Sequence, residues 1–361
     1  MTRRSRERVA DVLAHRRADR IPLDSPNDPL IASMLDRMDL DDEDREYFKS
    51  GEFRYLTFQS LASRETFASY LPGLPAEATV SDWGVGKVAL KSVEGYHAGH
   101  RTFHPLAEVN TVQDLDRFPF PDMTDPRRHA GLEAQVAEAR SRGFTVLGQM
   151  SQTVIETAYE MRGLEQLMVD FFERPDYVAA LFESIARRRR FQAERFARAG
   201  VDVLRIGDDV ATQRGLLISP ELYRRSLKPL HASVIAAARR VNPHIHVLYH
   251  SDGLLTPLLP DLIEIGVTAV NPVQPECMPI DEMKREFGRD LTFWGCTPVQ
   301  SVFQDGGRGD VQEWLKGLQE AASRDSGIVV NFINLVVTDR SLTNLRHFFE
   351  LLADPPTPDC R

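Results

Sequence analysis

The chain has 361 residues, enough for two domains or for one (β/α) barrel, because such barrels commonly run to about 250 residues or more. A hydrophobic fraction of 42% and a charged fraction of 27% are typical of a globular protein. No apolar stretch approaches the roughly 18 residues of a membrane span. The formal net charge of −9 argues against a nucleic-acid surface, since phosphate binding depends on clustered Lys and Arg.

The N-terminal 20 residues lack the apolar centre of a secretory signal. The 3 cysteines of the chain are too few for a disulfide framework in a protein of this length. The one dense basic stretch, residues 187–190, lies within a helical pattern and is interpreted as its solvated face. We therefore expect a cytoplasmic protein that contacts neither nucleic acid nor membrane.

The first 125 residues are predicted to contain N-terminal helices, a first barrel strand and a hairpin. Residues 20–24 form the strand, residues 30–75 are helices with polar breaks, and residues 82–104 alternate as a β-hairpin over the barrel mouth. Prolines at 105, 119 and 121 mark a long loop that leads to the next helix, near residue 127.

From residue 144 onward, strands and helices alternate regularly. Predicted strands cover residues 145–149, 202–206, 244–249, 269–271, 291–295 and 328–331, and predicted helices cover residues 153–161, 164–172, 176–199, 220–240, 258–265, 280–287, 311–324 and 342–352. Alternation of this kind implies parallel strands joined by right-handed crossovers. We expect a (β/α)8 TIM barrel over residues 1–361, with regular units in 126–354 and a tail at 355–361. No nucleotide-binding glycine motif follows a strand.

Polar residues follow four of the predicted strands, where a barrel carries its site. The stretch 244–253 is the most informative, because an apolar strand ends there in Tyr249, His250 and Asp252. The other strand ends contribute further candidates for catalysis or substrate binding, which are Gln149, Asp208, Asp209, Asn331 and Asn334. One of the two adjacent aspartates could instead cap the turn that follows it.

His250 and Asp252 lie two positions apart, so in an extended segment they point to the same side and could share a metal ion or a proton. An imidazole and a carboxylate suit zinc or a harder divalent ion. Cys296, or one of Asp208 and Asp209, is the predicted third ligand. His250 could equally hydrogen-bond a neighbouring strand end, and Cys296 could be a small buried hydrophobe.

The chain resembles the uroporphyrinogen decarboxylase superfamily along nearly its whole length. The motifs that carry the resemblance are Asp19-Arg-Ile-Pro-Leu-Asp24, Phe118-Pro-Phe-Pro-Asp122, Gly207-Asp-Asp, Gly215-Leu-Leu-Ile-Ser-Pro220, Tyr249-His-Ser-Asp-Gly253, Asn271-Pro-Val-Gln-Pro275 and Phe293-Trp-Gly295. The similarity points in particular to the branch with corrinoid-linked methyltransferases and epoxyalkane:coenzyme M transferase. It implies a barrel with its active site at the C-terminal mouth.

The resemblance also shows where this chain departs from its relatives. The zinc-dependent methyltransferases have His-x-Cys and a later Cys, whereas this chain has His250, Asp252 and, at the late position, Ile333. The porphyrinogen decarboxylases have an Arg-rich loop after the first strand, where this chain has acidic residues at 24–28. Their late histidine falls at Asn334.

Tyr159 and Asp82 look like counterparts of decarboxylase site residues, and Trp294 is a further candidate for substrate contact. The resemblance favours methyl or alkyl transfer, or a related carbon–heteroatom cleavage, with Asp208, Asp209, His250 and Tyr159 as catalytic residues. A divalent metal is the expected cofactor, and a corrinoid would be present only through a partner protein. The alternatives are a decarboxylase of a porphyrinogen-like or other carboxylic acid, and a non-catalytic ligand-binding or corrinoid-partner protein. A homodimer is also possible.

Overall fold

The computed structural model describes residues 5–25, 28–90 and 99–353. Its centre is a sheet of eight strands. In chain order the strands are β1 (Leu23–Asp24), β2 (Phe53–Leu56), β3 (Thr145–Ser151), β4 (Val203–Gly207), β5 (His246–His250), β6 (Ala269–Val273), β7 (Thr292–Gly295) and β8 (Ile328–Asn331).

Neighbouring strands pair in the order β1-β8-β7-β6-β5-β4-β3-β2, and each pair is parallel. The two ends of this order meet where the backbone N–H of Glu52 donates to the carbonyl of Leu23 at 3.1 Å. The sheet is therefore a (β/α)8 TIM barrel, which confirms the predicted fold class.

Helices surround the barrel and follow its strands. They are α1 (Ser5–Leu13), α2 (Pro29–Asp36), α3 (Asp42–Ser50), α4 (Val112–Asp116), α5 (Leu132–Ser141), α6 (Ile155–Arg162), α7 (Leu164–Glu173), α8 (Pro175–Ala199), α9 (Pro220–Ser226), α10 (Lys228–Arg239), α11 (Leu259–Glu264), α12 (Ile280–Phe287), α13 (Arg308–Asp325) and α14 (Asp339–Ala353). None of the helices in the described ranges has the length and apolar character needed to span a membrane.

Helix α1 closes the N-terminal end of the barrel. Val9, Val12 and Leu13 are buried in one apolar cluster with side chains from seven of the strands, among them Phe53 and Trp294. The helix is held in place by the buried Arg8, whose guanidinium pairs with Glu52 and with Asp19. The lower half of the barrel interior is therefore a packed core.

A small antiparallel sheet covers part of the opposite end. Its strands are Thr79–Val80, Gly86–Ala89 and His100–Phe103. The last two form the arms of the predicted hairpin, whose tip at 91–98 lies outside the described residues, as does the predicted tail at 355–361. An ion pair between Lys87 and Glu160 joins this sheet to α6.

Two local predictions are wrong. Strand β2 lies where only helices were predicted, because its sequence Phe-Arg-Tyr-Leu mixes polar and aromatic residues and shows no apolar alternation. The predicted helix at 220–240 is two helices, α9 and α10, which meet at Leu227 (φ −113°, ψ −43°). Pro229 explains this break, since proline has no N–H for a continuing helix and fits the first turn of a new one.

Candidate functional site

The upper part of the barrel interior is polar, in contrast to the packed core below it. Seven of the strands contribute a polar side chain near their C-terminal ends, and these residues are Asp24, Tyr55, Gln149, Arg205, His250, Asn271 and Asn331. All of them except His250 line a cavity of about 320 Å³, which Asn334 also lines. This cavity lies at the end where (β/α)8 barrels carry their active sites.

Three side chains at this mouth form a compact group with the composition of a metal site. One potential ligand atom each from Asp209, His250 and Asp252 lies within 4.8 Å of the others. His250 Nε2 is 3.9 Å from Asp209 Oδ1, and the backbone N–H of Asp252 donates to the same oxygen at 2.9 Å. The structure thus brings together three of the residues predicted from the sequence.

His250 is held in a defined orientation and charge state. Its Nδ1 lies 2.8 Å from Asn271 Oδ1 and 3.2 Å from Arg205 Nη2. Burial, and next the positive charge of Arg205, lower the pKa of His250, so its imidazole is neutral at neutral pH. A proton on Nδ1, donated to Asn271, leaves the Nε2 lone pair directed toward Asp209. This is the arrangement of a metal-binding histidine.

Asp252 contains an unsatisfied atom. Its Oδ2 accepts a hydrogen bond from Asn334 Nδ2 at 2.8 Å, while its Oδ1 is buried without a hydrogen-bond partner among the described residues. Burial, and repulsion from Asp252, raise the pKa of Asp209. Two crowded carboxylates and a neutral imidazole, with one carboxylate oxygen left unpartnered, are a donor set that fits a divalent ion.

Asp208 does not join this group, contrary to the prediction that it opens into the same cavity. It is fully buried behind the strand, where its carboxylate accepts hydrogen bonds from the N–H groups of Val154 (2.9 Å) and Glu156 (3.0 Å). His231 Nε2 on α10 lies 2.8 Å from the same carboxylate. Asp208 therefore joins the start of α6 and α10 to the end of β4.

Three other predicted residues are located elsewhere than expected. Tyr249 faces the helix layer, with its ring 5.4 Å from that of His231, because successive residues of a strand point to opposite faces. Cys296 is fully buried, its Sγ lies against the carbonyl of Phe293, and burial raises the pKa of its thiol. It is not part of the metal-binding group. Trp294 lies in the core below the mouth.

The remaining predicted residues lie around the mouth or its cover. Gln149, Asn331 and Asn334 line the cavity. Tyr159 on α6 is partly buried, and burial followed by the negative charge of Glu156 raises its pKa. Asp82 lies before the second strand of the small antiparallel sheet, where it pairs with Arg128 at 2.9 Å.

Several residues of the mouth were not predicted from the sequence. Arg205 is a lone charge within the apolar strand β4, and that isolation was a usable signal. Glu156 on α6 accepts a hydrogen bond from Gln152 at 2.9 Å, and burial with the charges of Asp209 and Asp208 raises its pKa to about 8. Tyr55 was not predicted as a site residue because strand β2, on which it lies, was not predicted.

Asp24 forms the floor of the cavity. Its carboxyl group is fully buried and accepts hydrogen bonds from the hydroxyl of Tyr55 and from Trp294 Nε1, the latter at 2.9 Å. Burial raises the pKa of Asp24. The residue was noted from the sequence only as part of an acidic loop.

The fold and the polar mouth together define an enzyme of the (β/α)8 barrel class. The sequence profile of the family called uroporphyrinogen decarboxylase (URO-D) matches residues 104–354, and the chain therefore belongs to the URO-D family. No curated protein sequence matches the chain.

The fold of the chain is similar to that of a solved methyltransferase structure. A methyltransferase from Methanosarcina mazei superposes with a TM-score of 0.64 at 15% sequence identity, and the match covers 97% of this chain and 97% of that one. An α-amylase from Anoxybacillus covers 62% of this chain and 60% of its own, at 12% identity and a TM-score of 0.33. A phosphonopyruvate hydrolase covers 56% and 72%, at 16% identity and a TM-score of 0.27. The last two similarities are too weak to bear on function.

Proposed function

We propose that this protein transfers a methyl or alkyl group to a small acceptor at a divalent-ion site formed by Asp209, His250 and Asp252. The observation that carries the proposal is the buried, unpartnered Oδ1 of Asp252 within a group of three ligand atoms lying within 4.8 Å of one another. Membership of the URO-D family and the shared fold with a protein described as a methyltransferase support the reaction type.

The three residues divide the work of holding the ion. His250 offers Nε2 because Asn271 holds the opposite nitrogen, and Asn334 orients Asp252 by binding its second oxygen. Two carboxylates and one imidazole favour a harder ion than a thiolate-rich zinc site does, although zinc remains compatible. Three protein ligands leave a position open for the acceptor.

A divalent ion held by Asp209, His250 and Asp252 would supply Lewis acidity, through which an acceptor thiol or hydroxyl group would become a nucleophile near neutral pH. The acceptor loses its proton to solvent water and forms the new bond to carbon, while the bond from that carbon to the donor breaks and its electron pair stays with the donor. The polar side chains on the strands position the acceptor for this step. A corrinoid carried by a partner protein is the predicted methyl or alkyl donor. The partner protein and the homodimer both remain predictions.

Metal analysis of purified protein is the direct test. The wild type should contain about one divalent ion per chain, and His250→Ala and Asp252→Asn should lose metal and transfer activity together. His244→Ala and Asp281→Asn alter exposed residues of the same types and should leave both unchanged. Loss of activity in His250→Ala with full metal content would contradict the proposal, because His250 would then act on protons or substrate.

Decarboxylation of uroporphyrinogen is not the expected reaction. A cavity of about 320 Å³ is at the lower end of the roughly 300–1,000 Å³ of small-molecule sites, which is small for a tetrapyrrole. Asp24 at the end of β1 and Asp28 after it lie where an Arg-rich loop would bind substrate carboxylates. An assay with uroporphyrinogen should yield no coproporphyrinogen. Formation of coproporphyrinogen would show that the reaction is a decarboxylation and not a methyl or alkyl transfer.

A further inference from the structure

Arg205 occupies a central position in the mouth. It lies on β4 between Gln149 of β3 and Leu248 of β5, and its side chain lines the cavity. Its guanidinium approaches the ring of Tyr55, at 5.7 Å from the centroid, and its Nη2 lies near His250 Nδ1. Arg205 is thus next to the metal-binding group, on the side of the imidazole that faces away from Asp209.

The charge of Arg205 is not neutralised by an ion pair. In the described ranges no carboxylate comes within ion-pair distance of its guanidinium, and its Nε is buried without a hydrogen-bond partner. A buried guanidinium normally has a paired anion, because its five donors need acceptors and its charge needs compensation. The described residues therefore supply no anionic partner for the guanidinium of Arg205.

Two acids line the same cavity, and each is engaged elsewhere. The carboxyl group of Asp24 accepts hydrogen bonds from Tyr55 and Trp294, and burial raises its pKa. Asp28 caps α2 by accepting hydrogen bonds from the backbone N–H groups of residues 30 and 31, at 2.8 and 3.2 Å. The charge of Arg205 lowers the pKa of Asp24 against the larger effect of burial, but neither acid lies within ion-pair distance of the Arg205 guanidinium.

We propose that Arg205 binds an anionic group of the substrate, a carboxylate or a similar oxyanion, at the floor of the mouth. The planar guanidinium matches such groups through paired hydrogen bonds. The inference rests on the proposed function, since it makes this cavity the acceptor site. A cavity of about 320 Å³ limits that acceptor to a small organic acid, with its charged end at Arg205 and its reacting atom beside His250.

Glycolate and glycolamide test the proposal, because they share a hydroxyl group and nearly the same size but differ in charge. Their dissociation constants would be measured by calorimetry on the full chain, both loaded with Zn²⁺ or Mn²⁺ and after treatment with a chelator. The wild type should bind glycolate about 10-fold or more tightly than glycolamide. Arg205→Gln should bring this ratio close to one.

Arg214→Gln is the matched control, since it removes the same charge from an exposed position in the turn between the short antiparallel strands Ala211–Thr212 and Gly215–Leu216 and should keep the wild-type ratio. Arg205→Lys should retain a reduced preference, because an ammonium keeps the charge but loses the paired geometry. If Arg205→Gln does not fold, the wild-type ratio and that of Arg205→Lys still decide the question.

Two results would overturn the proposal: an unchanged ratio in Arg205→Gln, or a wild type without preference in both the loaded and the chelated form. Failure of the transfer proposal is recognised separately. A preference for glycolate that depends on Arg205, in a protein that binds no metal at Asp209, His250 and Asp252, would retain the anion site and reject the metal site.

Discussion

Asp208 and Asp209 are adjacent in the sequence, yet they belong to two different regions of the molecule. The Asp208 carboxylate lies behind the barrel, where two backbone N–H groups and His231 satisfy it. The Asp209 carboxylate lies at the mouth, where Asp252 and His250 are its neighbours and burial raises its pKa. Both regions pair an aspartate with a histidine, but only the first is fully satisfied by the chain itself.

The difference shows how to separate a structural acid from a ligand-binding one. Burial is one difference, because the Asp208 side chain is fully buried whereas 32% of the Asp209 side chain is exposed. What also distinguishes them is whether donors of the chain use up the available lone pairs. At the mouth, Asp252 Oδ1 and Arg205 Nε have no hydrogen-bond partner among the described residues, which is the basis of the proposed cation and anion sites.

The largest expected effect on stability is that of Asp208→Ala. The substitution leaves His231 and two backbone N–H groups without their acceptor in a buried place, which should lower the free energy of unfolding by about 3 kcal/mol or more. Urea denaturation followed by circular dichroism measures it. Asp290→Ala, at an exposed position, should change stability by less than about 0.5 kcal/mol. A loss no larger for Asp208→Ala than for Asp290→Ala would remove the contrast between the two regions.

Asp209→Asn should affect metal binding and not stability, in contrast to Asp208→Ala. Without metal, the variant should be as stable as the wild type or more stable, because the amide no longer repels Asp252 and Glu156. Its affinity for the divalent ion should fall by about 100-fold or more, beyond the 10–100-fold typical of groups behind the ligands. Competition with a metal indicator measures the affinity. A variant that is destabilised but binds metal normally would place Asp209 with the structural acids.

Asn271→Ala sharpens the comparison at a residue behind the ligands. Loss of the hydrogen bond at 2.8 Å frees His250 to rotate and to change its protonated nitrogen. We expect metal affinity to fall by about 10-fold with little change in stability. Asn331→Ala, which alters another amide of the same cavity, should preserve the affinity, and equal losses in both variants would show that His250 needs no support from Asn271.

The last prediction concerns the pH dependence of stability. Glu156 has an ordinary pKa of 4.5 when unfolded and a pKa of about 8 in the folded protein. Between these values the folded chain keeps a proton that the unfolded chain releases, so the free energy of unfolding of the metal-free protein should decrease as pH rises. Glu156→Gln should reduce the decrease between pH 5 and pH 8 by about 3 kcal/mol. Parallel curves for the two proteins would mean that Glu156 titrates normally.

The fold was largely predictable from residue 144 onward, because strands such as Ile328–Asn331 are short apolar segments between helices with one apolar face. Strand β2 was not predictable, since Phe53 and Tyr55 face the barrel interior without an apolar pattern. The alternation within β5 could have separated Tyr249 from His250, because adjacent strand residues point to opposite faces.

The site was predictable in part. The spacing of His250 and Asp252 indicated that the two side chains could share a metal ion or a proton, and the structure brings both together with Asp209. The sequence offered no means to choose between Asp208 and Asp209, because the choice depends on where His231 packs, 23 residues later. Cys296 follows a strand as a ligand would, and only its burial among apolar side chains excludes it from the group.

The packing of α1 into the base of the barrel has a consequence for substrate entry and product release. Val9, Val12 and Leu13, with the apolar layer above them, fill that end of the barrel, so the cavity does not open through its base in the described part of the chain. Substrate and product are then expected to enter and leave through the same end of the barrel. The product must leave before the next substrate arrives, and it should therefore inhibit competitively.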